Sequence, residues 1–168
     1  AWNGLMMRAF AEAGGALGRP DYTEKANQNA KFILDTMVRD GRLLRTYRGG
    51  EAKLKGYLED YAFVIDGLLS LHEVTLSQGW LQEAITLGYA MVDLFWDDSQ
   101  GYFYDTGRDH EALVVRPRDY TDNAIPSGSS MASDVLLRLA VITGDGDLRR
   151  RAVSSLRSVQ ELMTQFPT

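Results

Sequence analysis

The chain has 168 residues, 45% of them hydrophobic and 24% charged, with a formal net charge of −5. That length suits one domain with a real core, and the composition excludes a disordered or fibrous chain. No run of Lys and Arg marks a phosphate-tracking surface, no uninterrupted apolar stretch is long enough to span a bilayer, and the absence of cysteine removes disulfides, thiolate nucleophiles and Cys-based zinc sites. Nucleic acid and membrane are therefore not expected partners. With only His72 and His110 present, a His-rich metal site is not expected either, and no cofactor is expected. The N-terminus lacks a signal-peptide pattern, which leaves a cytoplasmic location as the default. The chain opens at Ala1 with a helical pattern already running by Leu5, which reads as a piece of a longer protein.

Six segments carry helical periodicity. The first runs from about Trp2 to Leu17 and places Leu5, Ala9, Phe10, Ala13 and Leu17 on one side; Gly18-Arg19-Pro20 stops it. The second covers about Asp21 to Val38 with Ala26, Ala30, Ile33, Leu34 and Met37 repeating at three and four residues. The third, about Leu58 to Leu76, carries Ala62, Ile65, Leu68, Leu69 and His72. The fourth runs from Trp80 to Phe95 with Ala84, Leu87, Met91 and Phe95 inward. The fifth follows Pro126-Ser127-Gly128 and ends at Gly144, burying Ala132, Val135, Leu136 and Leu139. The sixth spans about Asp147 to Phe166 with Leu148, Ala152, Leu156, Val159 and Met163.

The connections alternate. Gly18-Arg19-Pro20, Ser77-Gln78-Gly79 and Gly144-Asp145-Gly146 are short, so each pair of helices is an antiparallel hairpin. The connections between pairs are long and hold strand-like pieces, at Leu43 to Tyr47 and at Gly101 to Tyr104. The second helices of the three pairs share a pattern in which Tyr22, Trp80 and Leu148 are equivalent. These positions lie 58 and 68 residues apart, longer than the ~34–47 residues of common solenoid repeats. The expected fold is all-α: three stacked helical hairpins forming part of an (α/α)6 six-hairpin toroid, with short β pieces in the inter-hairpin loops, in a single domain over residues 1–168.

Four stretches carry a resemblance: "AWNGLMMRAFAEAG", "YLEDYAFVIDGLLSLHEVT", "LFWDDSQGYFYDTG" and "DNAIPSGSSMASDVLLRLAVITGD". In that order they resemble the C-terminal region of a thioredoxin-domain-containing, spermatogenesis-associated protein-like family, from Trp2 to about Asp145. The helical region of that family is similar to the six-hairpin glycosidases and to N-acylglucosamine 2-epimerase. The resemblance implies an (α/α) toroid, with the family's thioredoxin-like domain and earlier hairpins outside this chain.

In such a toroid the first helix of each hairpin lines the inside, and polar and aromatic clusters fall at those helix starts: Trp2-Asn3-Gly4, Glu59-Asp60-Tyr61, and Asn123 through Gly128. Unsatisfied N–H groups there favour anionic or hydroxyl-rich ligands. The expected site is thus for a small sugar ligand, with Asp60, Asp122 and Glu59 as candidate acid/base groups and Trp2, Asn3, Tyr61, Asn123, Ser127 and Arg116 as candidate binding residues. Trp2 and Tyr61 are the stacking candidates. Each has a plainer alternative: Glu59 and Asp60 cap the third helix, Ser127 caps the fifth, and Arg108, Arg116 and Arg118 are largely solvated surface charge. Ser127 is no nucleophile, since neither a GxSxG elbow nor a nearby histidine activates it. His72 reads as an inter-helix histidine and His110 as an exposed loop residue, whereas the similar epimerases use histidine bases. Trp80 and Trp96 read as packing, and the GDGD at 144–147 as a turn and helix cap.

The function expected is carbohydrate processing, with isomerase or epimerase chemistry ahead of hydrolysis. The alternative is a non-catalytic helical module whose exposed inner-helix edge pairs it with a second copy, as a homodimer, or with the remainder of a longer chain.

Overall fold

The computed structural model of the chain describes residues 1–111 and 114–165. Helices α1 (Trp2–Leu17) and α2 (Pro20–Phe32) form the first hairpin, α3 (Leu58–Thr75) and α4 (Gln78–Phe95) the second, α5 (Gly128–Thr143) and α6 (Gly146–Arg157) the third, with a short α7 (Gln160–Gln165) after it. α3 lies between α1 and α5, and each of these three is backed by its own hairpin partner. The result is an inner row α1-α3-α5 and an outer row α2-α4-α6, as the hairpin reading expects. Among the described residues no helix is long and apolar enough to cross a membrane.

Helix ends follow local chemistry. Gly18 and Gly144 adopt left-handed conformations after α1 and α5, with their amides bonded back to Gly14 and Ala140. Pro20 opens α2 at the position where its missing N–H costs nothing. Asp145 caps α6 by accepting from the amides of Asp147 and Leu148. The expected second helix differs at its end: it widens into a π-helical turn, Ile33–Met37, and Val38 has left the helix for a strand. The expected sixth helix breaks at Ser158, whose hydroxyl donates to the Ser155 carbonyl at 2.6 Å and so competes with the helical ladder. Its expected end at Phe166 and the Met163 side chain lie outside the described residues.

The two long connections hold the expected β pieces, the first more extensive than expected. β1 (Val38–Arg39), β2 (Arg42–Arg48) and β3 (Glu51–Lys55) pair antiparallel in that order. Gly49 and Gly50 both have positive φ, 61° and 83°, so they supply the two-residue turn that the twist of a hairpin prefers. β4 (Trp96–Asp97) pairs with β5 (Tyr102–Phe103), and Trp96 meets Phe103 edge-to-face. Trp96 is therefore packing, as expected.

α3 is buried along almost its whole length, from Leu58 to Leu71 with only Glu59 part-exposed. Its inward stripe, and those of α2, α4 and α5, match the expected residues closely, Leu34 and His72 being only partly buried. Two helices differ. On α6 Leu156 is exposed and Ser155 is buried in its place. On α1 the buried residues are Gly4, Met7, Ala11 and Gly14, while Ala9 and Leu17 face solvent. Close approach explains the second case: a Cβ on Gly4 would stand 2.4 Å from the Phe63 carbonyl, and one on Gly67 would stand 2.9 Å from the Gly4 carbonyl oxygen. α1 and α3 touch through backbone at these two glycines, so the contact face is marked by the smallest residues and not by the largest apolar ones.

Across this inner row runs a buried charge. Asp66 of α3, 0% exposed, accepts from Arg8 of α1 at 3.1 Å and from Arg138 of α5 at 2.6 Å. Burial pushes its carboxyl up, against the pull of the two guanidiniums.

Gly4→Ala tests the α1–α3 approach. Helix propensity alone favours alanine by ~1 kcal/mol, but overpacking against the Phe63 backbone is expected to cost about 3 kcal/mol. Denaturant unfolding should show net destabilisation; a variant as stable as its parent would contradict the packing described.

Candidate functional site

The starts of α3 and α5 meet. A Cβ on Gly128, the first residue of α5, would stand 3.1 Å from the Glu59 nitrogen, so the two helix starts are in near contact. A cleft of about 420 Å³ opens over this junction. β2 contributes Arg45 to it, the start of α3 contributes Tyr57 and Glu59, the long connection into α5 contributes Asp105, Asp119, Thr121, Asn123 and Ile125 to Ser127, and α5 contributes its first residue, Gly128.

Of the residues expected from sequence, Glu59, Asn123 and Ser127 line the cleft. Six others do not. Asp60 is buried beneath it, with Oδ2 accepting from the Tyr57 amide at 2.9 Å and from Arg45 at 2.8 Å. Asp60 thus completes the capping box at the start of α3. Asp122 likewise completes the start of α5, accepting on Oδ1 from the Ser127 amide at 2.8 Å and the Ser130 hydroxyl at 2.7 Å. Burial alone would push Asp122 up, but the Ser127 amide and the Ser130 and Ser127 hydroxyls outweigh it and hold the carboxyl below its usual range. A carboxylate so held is a poor proton donor.

Tyr61 is 0% exposed, its hydroxyl accepting from the Leu43 amide and from Arg42 while its ring packs edge-to-face on Phe95, so it offers no stacking surface. Trp2 is 72% exposed and Asn3 is exposed beside it, both outside the cleft on the free edge of α1; the Asn3 carbonyl accepts from Asn29. Arg116 donates to the Thr106 carbonyl and stacks on Tyr104, 4.3 Å from its ring centre. Ser127 caps α5 through its hydroxyl, accepting from the Ser130 amide at 3.2 Å, while also lining the cleft.

The residues that sequence reasoning missed are Arg45, Tyr57, Asp105, Asp119 and Thr121. Arg45 donates to Glu59 at 2.9 Å as well as to Asp60, and lies 4.8 Å from the Tyr57 ring centre. Tyr57 also stacks on His110 at 5.1 Å, and the His110 Nδ1 accepts from the Gly107 amide. His110 is therefore a support for Tyr57 and not a free loop residue. His72, at the far end of α3, lies with Nδ1 2.9 Å from the Ser77 carbonyl and spans the turn into α4, as an inter-helix histidine should. Neither histidine lines the cleft.

Asp105 has the most unusual environment. Its amide donates to the Pro117 carbonyl at 3.0 Å, its carbonyl accepts from the Leu58 amide at 2.9 Å, and its Oδ2 accepts from the Asp119 amide at 2.7 Å. Burial pushes its carboxyl from the ordinary 3.8 up to about 6; the Asp119 amide opposes this, the Asp119 and Glu59 carboxylates add to it, and Arg118 exerts a smaller opposing pull. Among the described residues no cation comes within ion-pair distance of Asp105. A signal did exist in the sequence, the carboxylate of "YFYDTG" directly after a strand, but nothing local shows what will bury it. Among the described residues no three His, Asp or Glu side chains gather closely enough to hold a metal ion.

The charge of the lining is one-sided. With all groups ionised, Glu59, Asp105 and Asp119 stand against Arg45 alone, three negative charges to one positive. That balance disfavours phosphorylated or acidic ligands despite the two helix N-termini, whose partial charge is only about half a unit each.

The Asp105 environment gives a pH-dependent stability. A carboxyl whose folded pKa lies above its unfolded one stabilises the fold below the unfolded value, and that contribution is lost as pH rises through about 6. Asp105→Asn keeps an acceptor for the Asp119 amide but cannot ionise. The melting temperature of the variant relative to its parent is expected to rise between pH 4 and pH 7 and then level off; a difference constant across that range would contradict the environment described.

No family model matches the chain. Spermatogenesis-associated protein 20 of Rattus norvegicus is 39% identical to it over 178 aligned residues, covering 99% of the chain and 23% of the rat protein. The Homo sapiens protein of the same name is 38% identical over the same 99%. The chain thus spans less than a quarter of the length of these relatives. Among solved structures, cellobiose 2-epimerase from Bacillus thermoamylovorans superposes with a TM-score of 0.73 at 15% identity, over 92% of this chain and 42% of that one. The cellobiose 2-epimerase from Spirochaeta thermophila gives 0.72 at 16%, over 94% and 42%. At such identities the likeness speaks for the fold, and that fold is the α/α toroid expected from the hairpin pattern. Over nearly its whole length the chain is a homologue of one region of spermatogenesis-associated protein 20, built as part of an α/α toroid.

Proposed function

We propose that the chain carries a saccharide-binding cleft at the joined starts of α3 and α5, in a protein with sugar isomerase or epimerase chemistry. The observation that carries this reading is the lining itself: carboxylates, an amide, hydroxyls and one tyrosine edge around about 420 Å³, a set suited to a ligand rich in hydroxyl groups. The solved structures of the same fold are, by name, epimerases of the disaccharide cellobiose, which supports epimerisation ahead of hydrolysis. The net negative lining favours a neutral mono- or disaccharide over a sugar phosphate. Because the chain spans less than half of those enzymes, a longer protein would supply further walls of the site.

A second reading is favoured by a different observation. Trp2, Met6 and Ala9 lie exposed on one edge of α1, with Ala13 partly so, at helical spacing on the side away from α3. In this reading the chain is a helical module that pairs through that edge, as a homodimer or against further hairpins.

A thermal-shift screen of the chain decides between them. A saccharide present at ten times its dissociation constant should stabilise by ~1.4 kcal/mol, a rise of about 3–6 °C for a domain of this size. Neutral saccharides should raise the melting temperature, sugar phosphates should not, and Asn123→Ala should weaken binding about fivefold through one lost hydrogen bond while leaving the unliganded melting temperature unchanged. No shift with any saccharide, together with a dimeric mass in light scattering that Trp2→Ser abolishes, would replace the first reading with the second.

A further inference from the structure

Five carboxylates stand around the junction of α3 and α5, and they are not equivalent. Asp60 and Glu59 share Arg45, and Asp122 is held by an amide and a hydroxyl of the α5 start. Asp119 is exposed. Asp105 alone combines a place in the cleft wall with half-burial and no cationic partner among the described residues.

Its position is fixed by backbone. Two main-chain hydrogen bonds, from the Leu58 amide and to the Pro117 carbonyl, hold the residue over the first turn of α3, and the Asp119 amide holds Oδ2. That leaves Oδ1 without a hydrogen-bond partner among the described residues, in a residue of the cleft wall. Charged groups facing it are Glu59 from α3 and Asp119 and Arg118 from its own connection, with Arg45 of β2 also in the lining, bonded to Glu59. Arg118 is drawn off toward Tyr102, 3.8 Å from that ring centre, and toward Ser158. The two carboxylates therefore dominate, and they favour keeping a proton on Asp105.

We propose that Asp105 is the catalytic proton-transferring residue of the cleft, donating from its free carboxyl oxygen to an oxygen of the bound saccharide. This rests on the saccharide-cleft reading above and assigns the acid/base role within it. In the donating step the Asp105 O–H bond breaks as an O–H bond forms on the ring oxygen of the saccharide; the bond from that oxygen to the anomeric carbon breaks, and the anomeric hydroxyl gives its proton to water and becomes the carbonyl of the open chain, leaving Asp105 as the carboxylate. In the return step that carboxylate takes a proton from a ligand hydroxyl or from water. No other reactant is needed. A carboxyl that titrates near 6 fits both directions, since a group with its pKa close to the working pH is populated in each form. The absence of either histidine from the cleft leaves this carboxyl as the group there best matched to the task.

Two measurements test it. Carbon-13 NMR of the aspartate carboxyls, assigned with Asp105→Asn, should show one signal titrating near pH 6 in the unliganded chain. A normal acidic titration for Asp105 would overturn the proposal whatever the chain binds. Calorimetry with the saccharide found in the thermal screen, at pH 6.5 in two buffers of different ionisation heat, should show proton uptake on binding. Affinity should fall up to about 25-fold from pH 5.5 to pH 7.5, as expected when the protonated form alone binds. Asp105→Asn should still bind and should lose both the uptake and the pH dependence. Binding without uptake, or the same uptake in the variant, would overturn the assignment to Asp105 while leaving the cleft reading intact. Failure of every saccharide to bind at any pH would overturn the cleft reading, and this proposal with it.

Discussion

Asp66 sits in the middle of the most buried helix of the chain with no access to solvent, and it is held there by one arginine from each flanking helix. An isolated carboxylate in that place would be untenable, and removing one partner from a buried pair commonly costs 3–5 kcal/mol. The consequence is geometric as much as energetic. Arg8 and Arg138 reach Asp66 only when α1, α3 and α5 stand side by side in one register, and Arg138 continues to Glu73 one to two turns further along α3. Apolar packing alone would let such helices slide by a turn with little change in buried area. The ion triad, with the Gly4–Gly67 backbone contact, admits one register.

That register is what creates the candidate site. With α3 and α5 fixed side by side, their first turns meet at Gly128 and Glu59, and the two long connections must pass over the junction. The connection from β5 lays Asp105 across the start of α3, and the hairpin β2–β3 brings Arg45 against Glu59 and Asp60. The free N–H groups of two helix starts draw acidic side chains to the place, some as caps and some as cleft lining. Two kinds of carboxylate result from one cause: Asp60 and Asp122 consumed by structure, Asp105 and Glu59 left at the surface of the cleft.

This division also explains what could be read from the sequence. Hairpins, the helix ends marked by Gly18, Pro20 and Gly144, and the inward stripes of α2 to α5 were legible because Gly, Pro and a 3.6-residue apolar period act locally. The stripe of α1 was not, since its contact face is made by Gly4 and Gly14 and a search for large apolar residues points elsewhere. The break at Ser158 depends on a side-chain bond that competes with the ladder only in that setting. Of the three polar clusters expected to converge at inner-helix starts, those of α3 and α5 meet at the cleft, with Glu59, Asn123 and Ser127 in its lining, while Trp2 and Asn3 of α1 lie outside it. Which acid caps and which faces the cleft could not be read, because spacing places Glu59 and Asp60 equally near the helix start. Tyr57 and Tyr61 lie one turn apart, and only the packing of Phe95 and Arg42 decides that Tyr61 is the buried one. Asp105 owes its character to burial under chain that is distant in sequence, and no local pattern carries that.

The proposed saccharide cleft depends on register: a buried charge fixes how α1, α3 and α5 stand, and so brings the starts of α3 and α5 together. The most direct test is a crystal structure of the chain soaked with a neutral disaccharide. Density is expected over the Gly128–Glu59 junction, with ligand oxygens in hydrogen-bond range of Asp105 and Glu59. Density against the exposed Trp2–Met6 edge of α1, with the cleft holding only water, would contradict it.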